Sequence, residues 1–216
     1  MDEAAAKEFI QNNTALIAPP LTPEIVLHLA TESLPIWQKT EEELGELNVP
    51  PPYWAFAWAG GQALARYLLD HPELVRGKRV LDLGAGSGLV AVAAVRAGAV
   101  EVSASDIDTL AVAAIRLNAA ANGVVLEASS EDRLAHAPPE VDVILVGDLF
   151  YERELAERTL SYLEMAAKAG ADILVGDPRR SYFPTARFAE VATYAVPVTR
   201  ELEDNEIKRT TVWRLV

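Results

Sequence analysis

Short apolar runs separated by segments of helical periodicity make up most of the chain. Runs of this kind, bounded by glycine and polar residues, predict strands buried on both faces of a parallel sheet. The predicted strands are residues 79–83, 101–105, 124–128, 141–146, 171–176, 192–198 and 208–215. The predicted helices are residues 62–69, 89–97, 109–121 and 154–169. Because no long helix separates the last two strands, we expect them to form an antiparallel hairpin at the end of an α/β, doubly wound, Rossmann-like seven-stranded sheet.

The first part of the chain follows a different pattern. A short helix is predicted at residues 3–11 and a strand at 25–29, followed by an acidic run at 41–46 and three prolines at 50–52. This pattern predicts two parts: an N-terminal extension, residues 1–52, that packs on the core, and a main domain, residues 53–216.

Composition narrows the possible functions. The chain has 216 residues, half of them hydrophobic, which is enough for one sizeable core. It has no cysteine, which excludes disulfides, thiol nucleophiles and thiolate metal sites. Its net charge of −13 argues against a nucleic-acid partner. The polar, acidic start is unlike a signal peptide, and no apolar stretch reaches transmembrane length, so we expect a cytoplasmic protein, without membrane contact and monomeric.

A glycine-rich turn follows the first strand of the main domain. Residues 80–88 read Val-Leu-Asp-Leu-Gly-Ala-Gly-Ser-Gly. An apolar strand running into such a turn and a helix is typical of nucleotide-like cofactor sites in open α/β sheets. The dinucleotide spacing G-x-G-x-x-G would need a glycine at Leu89. The alternative is a tight strand-to-helix connection with no ligand.

The pattern D-x-G-x-G-x-G, formed by Asp82, Gly84, Gly86 and Gly88, resembles the first motif of class I methyltransferases that use S-adenosylmethionine. This cofactor has a cationic amino group and a sulfonium, which favour a nearby carboxylate. Asp106 follows Gly84 by 22 residues, at the end of the next predicted strand, where an acid can bind ribose hydroxyls. The alternative role for Asp106 is a helix cap, but Asp108 is the better candidate for that.

The next candidate residues follow the strand predicted at 141–146, where the chain reads Asp148-Leu149-Phe150-Tyr151. This tetrapeptide resembles the D-x-x-Y motif of protein-lysine methyltransferases with the same sheet, which implies catalytic roles for Asp148 and Tyr151. A carboxylate can orient an aliphatic amine, and an aromatic ring can line the channel for its alkyl stem. A carboxylate also stabilises the ammonium, whereas the nucleophile is the neutral amine, so we expect Asp148 to position the amine and pass a proton to water rather than to set the pKa of the amine. The alternative is that Asp148 caps the following helix while Tyr151 packs in the core.

Two further segments make the resemblance more specific. Aromatic residues occupy every second position from Trp54 to Trp58, and Gly176-Asp177-Pro178-Arg179-Arg180 follows the fifth strand. Together with D-x-x-Y, they resemble the lysine methyltransferases of the electron-transfer flavoprotein β-subunit, from about Leu21 onward. An ordinary hydrophobic strand is the alternative for Trp54 and Phe56. The resemblance implies S-adenosyl-L-methionine as cofactor, and the implied contacts are Trp58, Asp82, Gly84, Gly86, Gly88, Asp106, Ile107, Ser130 and Asp148.

Several alternatives remain. The implied substrate is a protein, the flavoprotein β-subunit, with a ribosomal protein as the alternative. A nicotinamide-dependent oxidoreductase would share the sheet but needs the later third glycine, and a non-catalytic binding module would keep the fold alone. A serine hydrolase needs G-x-S-x-G around Ser87, but Ala85 breaks that spacing. The three histidines lack metal-ligand spacing, so no metal is expected.

Overall fold

The structure, a computed structural model, describes residues 2–30, 51–198 and 207–216. The helices are α1 (Glu3–Asn13), α2 (Ala59–Asp70), α3 (Leu89–Arg96), α4 (Thr109–Ala121) and α5 (Arg153–Lys168). The strands are β1 (Ala15–Ile17), β2 (Leu27–Leu29), β3 (Arg79–Leu83), β4 (Glu101–Ser105), β5 (Glu127–Ser129), β6 (Val143–Gly147), β7 (Asp172–Asp177), β8 (Phe188–Pro197) and β9 (Ile207–Leu215).

Seven of these strands form one sheet in the order β5-β4-β3-β6-β7-β9-β8. Strands β3 to β7 pair in parallel, whereas β9 pairs antiparallel with both β7 and β8. The predicted doubly wound sheet with an antiparallel terminal hairpin is therefore confirmed. The chain leaves β3 toward β4 and β5 and then returns to β6 on the other side. This reversal opens a crevice beyond the carboxyl ends of β3 and β6, where ligands bind in such sheets.

The central strands are buried on both faces because helices cover each side of the sheet. All four residues 143–146 of β6 are fully buried, as is Leu81 of β3. Their apolar side chains therefore form a continuous run rather than an alternating one. At the edge of the sheet, β8 is mostly exposed or half-buried. The contrast explains why the central strands were predicted more closely than the edge strand.

Most predicted bounds agree with the structure to within two residues, and the exceptions have physical reasons. Strand β5 begins at Glu127 rather than at residue 124, because only three residues pair with β4. Strand β8 begins at Phe188, four residues before the predicted start. A bulge between Glu190 and Ala192 interrupts its alternation, so the sequence pattern shows only the second half of the strand.

The N-terminal extension contacts the core through α1 and β2. Ile10 of α1 is fully buried in an apolar cluster with residues of α4. The Asn118 side chain of α4 accepts a hydrogen bond from His28 N at 2.7 Å and donates to Ser87 O at 2.8 Å. Asn122 is the C-cap residue of α4. The predicted acidic run at 41–46 lies outside the described residues, and the division of the chain at residue 52 remains a prediction.

No helix in the described part of the chain combines the length and the apolar character needed to cross a membrane.

The start of α2 lies directly against the end of β7. A Cβ added at Gly60 would collide with Gly176 O and with the Asp148 carboxylate, and a Cβ added at Gly176 would collide with Gly60 O. Neither backbone has room to move, because Gly176 O also accepts a hydrogen bond from Asp148 N at 3.0 Å. Glycine at both positions is therefore required for this close approach.

We predict that Gly60→Ala destabilises the protein by about 2–3 kcal/mol or more, because the added methyl overpacks a rigid contact. Urea unfolding followed by tryptophan fluorescence measures this change. Gly61→Ala is the matched control, because a Cβ there meets only Val90 Cγ2, at 3.9 Å. Its stability should be unchanged or slightly raised, since alanine favours the helix. Equal stability of the two variants would contradict the close approach.

Candidate functional site

A cavity of about 500 Å³ lies beyond the carboxyl ends of the parallel strands. This volume is within the range of small-molecule sites. The segments after β3, β4, β6 and β7 all contribute to its wall. Its lining includes the predicted residues Trp58, Gly84, Gly86, Asp106, Ile107, Asp148 and Tyr151. Asp82, Gly88 and Ser130 are not part of that lining.

The glycine turn forms one wall of the cavity. Gly84, Gly86 and Gly88 all have positive φ angles, of 66°, 53° and 77°. A Cβ at Gly86 would meet only Trp54 Cα, at 4.0 Å, so this position leaves open space for a ligand. A Cβ at Gly88 would instead lie 3.2 Å from Ile115 Cγ1. Gly88 thus closes the turn against α4, while the other two glycines face the cavity.

Asp106 joins the glycine turn to the end of β4. Its Oδ2 accepts a hydrogen bond from Gly86 N at 2.9 Å, and its Oδ1 accepts one from Asp108 N at 3.0 Å. Burial raises the pKa of Asp106 above its usual value. Asp108 caps α4 by accepting from Leu110 N at 2.8 Å, as predicted. A half-buried carboxylate therefore lies on the cavity wall where the sequence predicted a ribose contact.

Asp82 has a different place from the one predicted. It is almost fully buried behind the turn, and its Oδ2 accepts a hydrogen bond from Ala91 N at 2.9 Å. Burial raises its pKa to about 7. The carboxylate links β3 to the first turn of α3 and does not reach the cavity. Asp82 supports the glycine turn in this structure, and its contact with the cofactor stays a prediction.

Ser130 is exposed and lies outside the cavity lining. The residues that follow it, 131–134, line that side instead. They lead into a short 3-10 turn, Arg133–Ala135, where Asp132 accepts a hydrogen bond from Leu134 N at 3.1 Å. This turn has no long periodic pattern, so the sequence did not predict it. Residues 131–134 are therefore better placed than Ser130 for a contact with a ligand in the cavity.

Asp148 connects three segments at the inner wall of the cavity. It has a φ of 58° and only 7% of its surface is exposed. Its Oδ2 accepts a hydrogen bond from Gly61 N, in the first turn of α2, at 2.9 Å. Its Oδ1 accepts from Arg180 Nε at 2.9 Å and from Arg180 Nη2 at 2.7 Å. The alternative that Asp148 caps α5 is not found, because Glu152 occupies that position.

Arg180 lines the cavity and was not among the predicted site residues. The guanidinium carbon lies 5.5 Å from the centre of the Trp58 ring. Its backbone N–H donates to Asp177 Oδ1 at 2.7 Å. The segment 176–180, which is part of the family resemblance, contains Arg180. Sequence spacing alone, however, cannot show that Arg180 reaches Asp148.

Asp177 is fully buried at the end of β7. Burial, and then the negative charge of Asp148, raise its pKa to about 7. Its Oδ2 has no hydrogen-bond partner among the described residues. Its carbonyl oxygen accepts a hydrogen bond from Trp213 Nε1 at 3.1 Å, which fixes the loop to β9.

Aromatic side chains form the mouth of the cavity. The Tyr53 ring lies 6.0 Å from Trp58 and 5.7 Å from Tyr151, between ring centres. Tyr151 is 44% exposed, so the alternative that it packs in the core is not found. Trp54 and Phe56 are buried in an apolar cluster, but the hydrophobic strand that was the alternative for them is not found, because Tyr53–Ala55 forms a 3-10 turn.

Within residues 2–30, 51–198 and 207–216, no cluster of three or more His, Asp or Glu side chains is suited to a metal ion.

Comparisons with known proteins agree with this geometry. Residues 63–150 match the family profile of the ribosomal protein L11 methyltransferases. A Xenopus laevis electron transfer flavoprotein beta subunit lysine methyltransferase is 39% identical over 96% of this chain and 85% of its own length. The human protein of the same name is 36% identical over 96% and 80%. The magnesium protoporphyrin IX methyltransferase of Synechocystis PCC 6803, solved with bound SAM, has the same fold, with a TM-score of 0.56, 20% identity and 87% of each chain covered.

We predict that Asp106→Ala weakens S-adenosylmethionine binding about tenfold or more, because a hydrogen bond to a charged group contributes about 1.5–3 kcal/mol. Asp82→Asn, which keeps an oxygen for Ala91 N and does not line the cavity, should change the affinity less than about threefold. Isothermal calorimetry measures both. An unchanged affinity of Asp106→Ala for S-adenosylmethionine would contradict the proposed cofactor site. Equal losses of affinity in the two variants would contradict the different positions of the two carboxylates.

Proposed function

The chain belongs to the family of electron transfer flavoprotein beta subunit lysine methyltransferases, enzymes of the S-adenosylmethionine-dependent class, and on that premise we propose that it methylates lysine side chains of the same flavoprotein subunit. The observation that carries this proposal is the Asp148 carboxylate at the inner wall of the cavity, reached past the aromatic pair Tyr53 and Tyr151. The aromatic mouth fits an alkyl stem and the carboxylate fits its terminal nitrogen.

The cavity residues fit S-adenosylmethionine. The open space at Gly86 admits a ligand close to the backbone, and Asp106 offers a carboxylate for hydroxyl groups. We propose that Gly84, Gly86, Asp106 and Ile107 hold the nucleoside part, with Trp58 at the rim. When bound, the cofactor supplies an electrophilic methyl group: the amine nitrogen forms a bond to the methyl carbon as the carbon–sulfur bond breaks and its electron pair passes to sulfur.

The residues of the chain contribute mainly by alignment. Because the methyl donor is already activated, holding the amine in line with it can lower the barrier by about 7–11 kcal/mol. We propose that Asp148 accepts a hydrogen bond from the substrate amine, and that its own bonds to Gly61 and Arg180 fix the carboxylate in place. Tyr151 and Tyr53 border the alkyl stem. Methyl transfer converts the neutral amine into a positively charged methylammonium, and the proton that this group then loses passes to water at the open mouth.

A ribosomal protein is the main alternative substrate. The matching L11 methyltransferase profile covers residues 63–150. The flavoprotein relatives match over 96% of the chain and over 80–85% of their own length. The comparison therefore supports the flavoprotein subunit over a ribosomal protein. A nicotinamide-dependent oxidoreductase has no support from the family.

The remaining parts of the proposal concern partners and location. We propose a protein substrate with no nucleic-acid partner, and the net charge of −13 supports this. A monomeric state and a cytoplasmic location belong to the same proposal, and the lack of cysteine is compatible with a reducing compartment.

We predict that the purified protein transfers label from S-adenosylmethionine to purified flavoprotein β-subunit, at lysine residues identified by mass spectrometry. Ribosomal protein L11 at the same concentration should be labelled at least about tenfold more slowly. A chelator should leave the rate unchanged. Preferential labelling of L11 would show that the ribosomal protein, and not the flavoprotein subunit, is the substrate. If no protein in a cell extract were labelled, the result would favour a non-catalytic binding module.

We predict that Asp148→Asn lowers kcat at least about tenfold while S-adenosylmethionine affinity changes less than about threefold. The amide keeps an oxygen for Gly61 N but loses the charge that orients the amine. Asp142→Asn is the matched control, because Asp142 lies at the opposite end of β6, bonded to Arg79. Wild-type turnover of Asp148→Asn would show that this carboxylate has only a structural role.

A further inference from the structure

The ion pair between Asp148 and Arg180 bears on the protonation state of the substrate lysine in the proposed reaction. A lone carboxylate beside a lysine favours the ammonium form, and an ammonium has no lone pair with which to attack a methyl group. In a site with little water this effect is large, because the effective dielectric constant is low. A lysine methyltransferase with an uncompensated carboxylate would therefore bind its substrate in the unreactive form.

Arg180 compensates the charge of Asp148 directly. The guanidinium donates twice to one carboxylate oxygen, at 2.7 and 2.9 Å, and the two side chains are 18% and 8% exposed. The pair has no net charge. A carboxylate accepts about four hydrogen bonds, so an oxygen that is ion-paired still serves as an acceptor for a neutral amine.

Arg180 is held by contacts besides the ion pair. Its backbone N–H is bonded to Asp177, the carbonyl oxygen of Asp177 is bonded to Trp213, and its guanidinium lies over the Trp58 ring. The preceding residue, Arg179, has a φ of 65°. These contacts fix the guanidinium beside Asp148, so an incoming ammonium would have to compete with a pre-organised cation.

We propose that Arg180 is a positioning residue that neutralises Asp148, so that the carboxylate accepts a hydrogen bond from the substrate amine without retaining that amine as an ammonium. This inference rests on the proposed lysine methylation. It assigns to the Gly-Asp-Pro-x-Arg segment a role in the state of the nucleophile.

Other charged and titratable groups also lie near the Asp148–Arg180 pair. Asp177 of the β7 loop faces the same pair, and Tyr151 and Glu152 follow Asp148 in the chain. Tyr53 lies at the mouth, and Asp106 lies across the cavity. These groups are present in wild type and in every variant below. Because the pKa of Asp177 itself depends on the charges of Asp148 and Arg180, the double variant that removes both charges is the reference for the two single variants.

The test is the pH dependence of kcat with the flavoprotein β-subunit as substrate. Arg180→Gln leaves Asp148 uncompensated, and a charge within about 4–6 Å shifts a pKa by about 1–3 units. The rising limb of the pH profile of kcat should move to higher pH by about one unit or more. At neutral pH kcat should fall at least about tenfold, and it should recover in alkaline solution. Arg180→Lys keeps the charge and should keep the wild-type limb.

Two more variants complete the comparison. Asp148→Asn removes the carboxylate charge and keeps the charge of Arg180, so its residual activity should rise at lower pH than in wild type. The double variant Asp148→Asn/Arg180→Gln has neither charge, and its limb should return close to the wild-type position. It also avoids an unpaired buried charge, which keeps the test available if Arg180→Gln does not fold.

A binding measurement gives a readout that does not depend on turnover. In the presence of S-adenosylhomocysteine, the affinity of Arg180→Gln for the flavoprotein subunit at neutral pH should equal or exceed that of wild type, because an uncompensated Asp148 attracts the ammonium. Arg187→Gln is the matched control, since Arg187 is paired with Glu164 and is not part of the cavity lining. Its profile and affinity should be those of wild type.

A uniform loss of kcat in Arg180→Gln with an unshifted limb would overturn the inference and leave Arg180 a structural residue. An equal shift in Arg180→Lys would overturn it too. If wild type fails to methylate the flavoprotein subunit, the proposed function fails first and the inference fails with it.

Discussion

The contact between Gly60 and Gly176 is the constraint on which the site depends. Because neither residue has a side chain, the start of α2 reaches the end of β7, and Gly61 N comes within hydrogen-bonding distance of Asp148. The positive end of the α2 dipole then faces the buried carboxylate. Without this approach Asp148 would lose the bond from the Gly61 amide, and a side chain at residue 60 would collide with its carboxylate.

The carboxylates at the ends of the neighbouring strands β3 and β4 have different roles because they lie at different depths. Asp82 lies behind the glycine turn and bonds to α3, whereas Asp106 lies in front of it and bonds to Gly86. One aspartate thus holds the turn from behind while the other holds it from the cavity side. Two short side chains fix the same loop from opposite directions, which gives a ligand a rigid wall without any bulky residue in the way.

The sequence predicts what depends on local periodicity and not what depends on contacts between distant segments. Strands β3 and β4 and helix α4 follow from apolar patterns, and their bounds agree with the prediction. The role of Asp82 was assigned from its place beside the glycine motif, but strand alternation turned its side chain away from the cavity. The Asp148–Arg180 pair joins residues 32 positions apart, and only the sheet order brings β6 beside β7.

The contacts that hold Arg180 in place lower the stability of the protein. Asp177 binds the Arg180 backbone but is fully buried, with a pKa raised to about 7, as is that of Asp82. A carboxyl whose folded pKa exceeds its unfolded one favours the native state most when protonated, so the contribution of these two carboxyls to stability declines as pH rises from about 4 to about 7 and then levels. The fold retains both carboxyls despite this decline. A site built from apolar residues would be more stable in neutral solution, but it would have no fixed cation beside Asp148 and no support beneath the glycine turn.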